Sequence, residues 1–373
     1  MAEKFKRYTV MHGENKVVSI RSDGSCTVYS RRKMPYNLYL EKCETDEIDT
    51  RLNNLVNFYY WCSSRMLSLD RKYAKEILNS LGQKQAVTDR ERAQISISYH
   101  ALSLTDIYWV KCDREKVCFA DINLYSHKLG DAFVDVCLRG KQLTLENSRL
   151  MDGRDAAGDI ATTGMAAKAW VRQKDGFYLF KDGDRRDVEA ELLSSKILDC
   201  FDVAHVRYER DSYDGEAVSK SRIITSPEKS IAAMEFIDVY TLNQGLDLYK
   251  MIFSKDAYQY YMMNIVDYLL GNTDRHKANW GFWVDNRNNS LLGLYPLMDF
   301  NRSFNSYDTL DGAMCQTTEK PMTQLEAALE GVKAVGLNRV KEIDYSWFFD
   351  ENQREMFKKR LSVLEAAIEN KPL

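Results

Sequence analysis

Apolar and polar positions change their spacing several times along this chain. In KVVSIRSDGSCTVYS (16–30), β-rich segments alternate around an S-D-G-S turn and predict a hairpin. From 46 to 86 the spacing turns helical. Thr45 and Asp46 stand as caps before a segment that carries Ile48, Leu52, Leu55, Val56 and Tyr59 on one stripe, and a second helix is predicted over 71–82. Residues 91–150 are mixed and define no element. After 166 the pattern sharpens: AKAWVRQ and GFYLFK are predicted strands joined at K-D-G. DVEAELLSSKILDCF (187–201) is a predicted helix with acids in its first turn, where the helix dipole favours them. Three short β-like stretches follow, AHVRYER, KSRIITS and SIAAMEFI, and beyond 240 helices are predicted over 241–252, 255–270, 321–334 and 350–368. Between those helices GFWV and LLGLYPL flank N-R-N-N, a hairpin over 281–298. The order β-β-α-β-β-β, then mostly α, predicts an α+β chain: a small, mostly antiparallel sheet with one helix, followed by a helical lobe. A cleft between two such lobes is a common place for a nucleotide.

Composition narrows this only a little. With 373 residues, 45 % of them apolar and 29 % charged, the chain can bury a sizeable core in two or three units. We divide it as 1–150, an accessory α/β domain; 151–239, a β-rich lobe; and 240–373, a helical lobe. The net charge of −3 gives no whole-molecule reason to expect nucleic-acid binding. The exception is the first 33 residues, where eight Lys and Arg face three acids; a solvated strand face and a nucleic-acid patch are the alternatives there. MAEKFKRYTV lacks the apolar core of a signal peptide, and no 18-residue apolar run exists to span a membrane. The eight cysteines are scattered without a C-x-x-C pair, so reduced thiols in a cytoplasmic protein are expected. Cys112 and Cys118 offer a weak zinc alternative.

The most informative stretch is GNTDRHKANW (271–280), which follows the apolar run YYMMNIVDYLL. Gly271 suits the left-handed position past a helix end. The polar cluster then falls on a loop fixed by a buried helix, and a hairpin carries the chain on to Leu297-Met298-Asp299-Phe300-Asn301. Asp-x4-Asn followed by a hairpin and an Asp-Phe pair is the arrangement that phosphoryl transfer by kinases requires. Asp274 would orient the incoming hydroxyl, while Asn279 and Asp299 would give Mg²⁺ the hard oxygen ligands it prefers. Two other readings exist. Asp274 and Asn279 could merely cap loop backbone, or Asp274, His276 and Asp299 could hold a hydrolytic metal, for which five scattered histidines are a poor supply.

A kinase makes further demands upstream: a loop over the phosphates, a lysine on the sheet, an acid on the next helix and a hinge. ATTGMAAK (161–168) offers hydroxyls at Thr162 and Thr163, then Gly164, Met165 and small residues before Lys168, without a G-x-G-x-x-G or Walker pattern. Lys181 ends the strand FYLFK. Glu191 lies beside the apolar stripe of the next helix and is the expected partner of Lys181, with Glu189 as fallback. Glu235, Phe236 and Ile237 close the last β-stretch, where backbone could meet an adenine edge.

Over about 155–370 the chain resembles the HipA-like family of bacterial kinases, the toxin partners of toxin–antitoxin pairs. GNTDRHKANWGF with PLMDFN downstream carries the likeness, and TTGMAAKAW…FYLFK resembles that family's phosphate loop and lysine. The resemblance implies a protein-kinase-like fold and ATP- and Mg²⁺-dependent phosphorylation of Ser or Thr on a protein. It also implies an antitoxin-like partner. By motif, Asp274 would be the catalytic base with His276 beside it, Asn279 and Asp299 the metal ligands, Lys181 the phosphate lysine, 163–168 the loop and 235–237 the hinge. Some members are switched off by phosphorylation of a loop hydroxyl; here Ala161 falls at that position, with Thr162 and Thr163 adjacent. Residues 1–150 do not match the family's usual N-terminal part. Asp-Arg-His-x-x-Asn also occurs in phosphoinositide-type lipid kinases, and a nucleotide-binding pseudokinase is a further alternative.

Overall fold

The computed structural model describes residues 6–43, 47–80, 88–126, 131–141, 162, 165–305 and 307–369. The chain forms two compact units, one of residues 1–182, 223–230 and 284–290, the other of 183–222, 231–283 and 291–373.

In the first unit, β1 (Arg7–His12), β2 (Asn15–Arg21), β3 (Cys26–Val28) and β4 (Tyr108–Cys112) form an antiparallel sheet in the order β3-β2-β1-β4. Strands β2 and β3 are the expected hairpin. Strand β4 was not legible in the sequence, because its ladder partner lies about a hundred residues away and alternation over YWVKC is weak. Helices α1 (Ile48–Ser64) and α3 (Asp89–Ser98) belong to the same core, and α2 (Ala74–Ser80), α4 (Phe119–Ile122) and α5 (Asp131–Arg139) complete the helices described here.

Helix α1 corrects part of the predicted stripe: Leu55 and Tyr59 pack half-buried against the core as expected, but the other three residues do not. Ile48, Leu52 and Val56 are 64 %, 56 % and 66 % exposed, and the face that joins Val10, Val18 and Ile20 in the core is Phe58, Trp61 and Cys62. Asn54 lies on that buried face because its amide is fully used: it accepts from Glu41 N at 2.9 Å and donates to Glu41 O at 2.8 Å. A polar residue with such partners can be buried at little cost, and pattern reading assigns it to water. The expected caps Thr45 and Asp46 lie outside the described residues.

Strands β5 (Ala167–Gln173) and β6 (Gly176–Asp182) form the K-D-G hairpin, with Lys168 directly opposite Lys181. The first unit also includes the tip of a later hairpin. Asn289, at φ +58°, donates to Arg32 O and Met34 O, accepts from Tyr108 Oη at 3.0 Å, and its carbonyl accepts from Tyr36 Oη at 2.7 Å.

In the second unit, α6 (Arg185–Leu198) is capped by Asp184, whose carboxylate accepts from Asp187 N, and is followed by the hairpin β7 (Tyr208–Tyr213) and β8 (Glu216–Arg222). Strand β9 (Lys229–Ala233) is shorter than the predicted SIAAMEFI, for Met234 already opens helix α7 (Met234–Gln244). It forms a three-stranded sheet with β10 (Gly281–Asp285) and β11 (Ser290–Leu294), in the order β11-β10-β9. Gly281 is required there, since a Cβ would stand 2.1 Å from the Ala232 carbonyl oxygen.

Helix α8 (Leu248–Leu270) bends at Asp256, which accepts from Gln259 N and Leu294 N, so the two predicted helices 241–252 and 255–270 are divided differently. Its second half is buried all round, with Met262, Met263, Ile265, Leu269 and Leu270 fully enclosed. Gly271 ends it at φ +60°, as expected. Helices α9 (Gln324–Val335) and α10 (Glu351–Glu369) close the unit. Among the described residues no helix is long and apolar enough to cross a membrane.

Candidate functional site

The polar loop after Gly271 is organised by Arg275. This arginine is 3 % exposed and lies between two stretches of chain. Its Nε and Nη2 donate to the two oxygens of Asp267, at 2.8 and 3.0 Å. Its Nη1 donates to Asn279 O at 3.1 Å and Met298 O at 2.6 Å, and the guanidinium stacks 4.9 Å from the Phe300 ring centre. One side chain therefore ties the loop that carries Asp274 and Asn279 to the segment that carries Asp299. Burial disfavours its charge, but Asp267 overcompensates and holds the guanidinium's pKa above its ordinary value. Neither Arg275 nor Asp267 was assigned a role from sequence. The available signal was the lone Asp inside YYMMNIVDYLL, because a carboxylate on a buried helix needs a partner.

Around this staple the predicted residues take defined places. Asn279 Nδ2 donates to Asp274 O at 2.8 Å, and Asp274 N donates to Asn272 Oδ1 at 3.2 Å. Asp274 and His276 are about half exposed, with His276 Nε2 3.8 Å from an Asp274 carboxylate oxygen. His276 Nδ1 accepts from Ala278 N, which assigns the ring proton to Nε2. Asp299 adopts φ +63°, in the left-handed region, and its N–H donates to the hydroxyl of Tyr208 at 3.0 Å. Tyr208, the first residue of β7, is another member that pattern reading missed. Burial first, then Asp184, with Arg302 opposing and Asp299 adding, push the nearby Asp187 carboxyl up.

Glu235, Phe236 and Ile237 sit in the first turn of α7 rather than on an extended strand. The N–H groups of Met234 and Glu235 are engaged by Trp280 O at 2.8 Å and Lys277 O at 3.0 Å. Lys277 also pairs with Asp238 at 2.5 Å, so α7 and the Asp274 loop share a border. Burial pushes the Glu235 carboxyl up, with His276 opposing. Glu191 is 1 % exposed and accepts from Ser219 Oγ.

The remaining candidates belong to the first unit. Lys168 and Lys181 are 6 % and 9 % exposed and, as opposed residues, share one face of the hairpin. Thr162 Oγ1 accepts from Trp170 Nε1 at 3.0 Å, its carbonyl accepts from Arg71, and Lys72 N donates to Met165 O at 2.8 Å. The Met165 side chain is 68 % exposed. Thr163 and Gly164 lie outside the described residues, as does Ala161. The structure thus brings Asp274, His276, Asn279 and Asp299 together around Arg275, and separately pairs Lys168 with Lys181.

No protein-family model matches the chain, and no curated protein does. Among solved structures, a chain of the Shewanella oneidensis MR-1 toxin–antitoxin complex of HipA, HipB and operator DNA is similar, at 9 % identity and a TM-score of 0.57. That likeness covers 98 % of this chain and 100 % of that one. The Helicobacter pylori proinflammatory kinase CtkA is similar over 55 % of this chain and 90 % of its own, at 14 % identity and a TM-score of 0.44. The first likeness shows the fold: the chain has the protein-kinase-like α+β fold of HipA.

Proposed function

We propose that this chain is an ATP- and Mg²⁺-dependent kinase that phosphorylates Ser or Thr hydroxyls on a protein, in the manner of HipA-like enzymes. The observation that carries the reading is the Arg275 staple, which holds Asp274 and Asn279 in register with the segment of Asp299. On this reading residues 151–239 and 240–373 are the two parts of the catalytic region and 1–150 an accessory domain. An antitoxin-like protein is its proposed partner, as the HipA chain is found with HipB.

The residues suit the group they would hold. Asn279 donates its amide N–H to Asp274 O, which leaves Oδ1 as the acceptor for a cation. Asp299 adds a carboxylate, and Asn301 Oδ1, two residues on, is buried without a partner among the described residues. No group of three or more His, Cys, Asp or Glu that could hold a metal occurs among those residues. Two protein ligands supplemented by phosphate and water are what Mg²⁺ commonly takes. Opposed Lys168 and Lys181 make a cationic pair suited to phosphates.

Bound Mg·ATP would supply the transferable phosphoryl group and neutralise charge on it. The chain's own residues do the rest by positioning. Asp274 orients the acceptor hydroxyl and takes up its proton, and His276 presents Nε2–H beside that carboxylate. Asn279 and Asp299 would hold the metal, and in the first unit the opposed Lys168 and Lys181 would suit phosphate oxygens. Residues 235–237 would border the adenine, through atoms other than the Glu235 N–H, which Lys277 O already engages.

Incubation with labelled ATP and Mg²⁺ should label the chain or a lysate protein, and Asp274→Asn should lower that rate by about 10²–10⁴-fold, the usual worth of a positioned general base. Equal labelling by the variant would overturn the assignment. Stabilisation by Mg·ATP with no transfer would indicate a nucleotide-binding pseudokinase, and label on extracted lipid alone would indicate a phosphoinositide-type enzyme.

A further inference from the structure

The basic N-terminal stretch takes no part in the proposed transfer, and it builds a site of its own on the sheet of the first unit. One face of β1, β2 and β3 turns Tyr8, Val10, Val18, Ile20 and Val28 into the core. The alternate positions carry a different chemistry. Arg7 lies directly opposite Arg21, Thr9 opposite Ser19, and Ser19 opposite Thr27. These residues share the other face, because successive strand side chains alternate. A surface cavity of about 360 Å³ opens there, lined by Arg7 and Arg21 with the hydroxyls of Ser19, Ser25, Thr27 and Tyr29. Among the described residues no carboxylate lines it.

Two features make this more than a solvated strand face. Like charges directly opposite across a ladder repel each other, and among the described residues neither Arg7 nor Arg21 is in an ion pair. Asp23, whose carboxyl Arg21 also helps to hold below its ordinary range, is occupied by Ser25 N, Ser25 Oγ and Arg51. Among the described residues the guanidinium pair therefore has no counter-anion in its own cavity. The hydroxyls are also polarised outward. Ser19 Oγ donates to Tyr29 Oη at 3.2 Å and contacts Thr9 Oγ1 at 2.9 Å, so the phenolic proton of Tyr29, which is 50 % exposed, is left to donate into the cavity.

We propose that this cavity binds a phosphate monoester carried on another molecule, specifically a phosphorylated Ser or Thr side chain of a protein. Two guanidinium forks suit the dianion bidentately, and Tyr29 and Thr27 supply further donors. A phosphodiester backbone is the less suitable occupant. It would be tracked by a line of separate cations, whereas here both arginines line one cavity together with several hydroxyl-bearing residues. The inference does not depend on the kinase reading.

The test is fluorescence anisotropy of the full chain with a labelled phosphoserine peptide, its unphosphorylated twin, and a short labelled DNA duplex. The phosphopeptide should bind at least about tenfold more tightly than the twin, since only its dianion can take charge-assisted hydrogen bonds from the two guanidinium groups. Inorganic phosphate should compete. Arg7→Lys with Arg21→Lys, which keeps the charge and removes the forks, should lose most of the preference. Arg7→Ala with Arg21→Ala should lose all of it and melt no lower than wild type, because a repulsive pair has gone. Equal affinity for the two peptides would overturn the proposal. So would an undiminished preference in the double alanine variant, or DNA binding that outcompetes the phosphopeptide at equal concentration.

Discussion

Replacing Arg275 by alanine tests the central staple. The substitution removes two bonds to Asp267 and two to main-chain carbonyls, and leaves Asp267, 5 % exposed, with Asn272 Nδ2 at 3.0 Å as its remaining side-chain donor. Breaking one side of a buried ion pair costs about 3–5 kcal/mol, mostly because the other charge stays buried. Two stranded carbonyls add to this, so about 4 kcal/mol or more is expected. For a unit of this size each kcal/mol lowers Tm by about 2–4 °C, so the melting point should fall by about 10 °C. Circular dichroism melts and urea titrations of wild type, Arg275→Ala, Asp267→Asn and the double variant measure it. The double variant should be clearly less destabilised than the sum of the singles, because each single change strands the same partner. Arg275→Lys keeps a charge but not the fork and should fall between wild type and alanine. Strictly additive losses, or an alanine variant that melts with wild type, would refute the staple.

Other expectations follow from particular contacts. His12 is 1 % exposed, and burial, with Lys33 adding, lowers its pKa to about 4. In the unfolded chain the ring takes its proton near pH 6.5, so between about pH 6.5 and 4 the unfolded state binds more protons and stability falls as pH falls. The contribution is full above pH 6.5, amounts to about 3 kcal/mol at most, and should disappear from the pH dependence of urea melts in His12→Phe. Gly281→Ala forces a Cβ against the Ala232 carbonyl and should cost about 1–3 kcal/mol in urea titrations. On α1, Leu52→Glu should change stability by no more than about 0.5 kcal/mol, while Phe58→Ala should cost about 3–5 kcal/mol; a reversed order would restore the stripe predicted from sequence.

What could be read from the chain was local chemistry, and what escaped was long-range partnership. The K-D-G hairpin, the Gly271 terminus and the hairpin after the polar loop each follow from residues within a few positions of one another, and all three stand as expected. The face of α1 was read only in part, with Leu55 and Tyr59 on the core but Ile48, Leu52 and Val56 exposed, because helical spacing supports two stripes. The choice between them depended on Asn54 finding Glu41 N and O, which no period reveals. SIAAMEFI is β-rich throughout, yet the strand stops at Ala233 since the next two N–H groups are bound by Trp280 and Lys277. The polar loop was legible as a set of residue types at a spacing. Its framework was less so, because Arg275, Asp267 and Tyr208 act through partners up to 91 positions away.

Position 299 sets main-chain comfort against chemistry. A glycine would adopt its φ of +63° without strain, but it would remove the carboxylate that the proposed metal site calls for. Selection for heat resistance alone would therefore let this aspartate drift toward residues at ease in left-handed backbone. On the proposed function, libraries sorted for stability and libraries sorted for phosphoryl transfer should part company at this one codon.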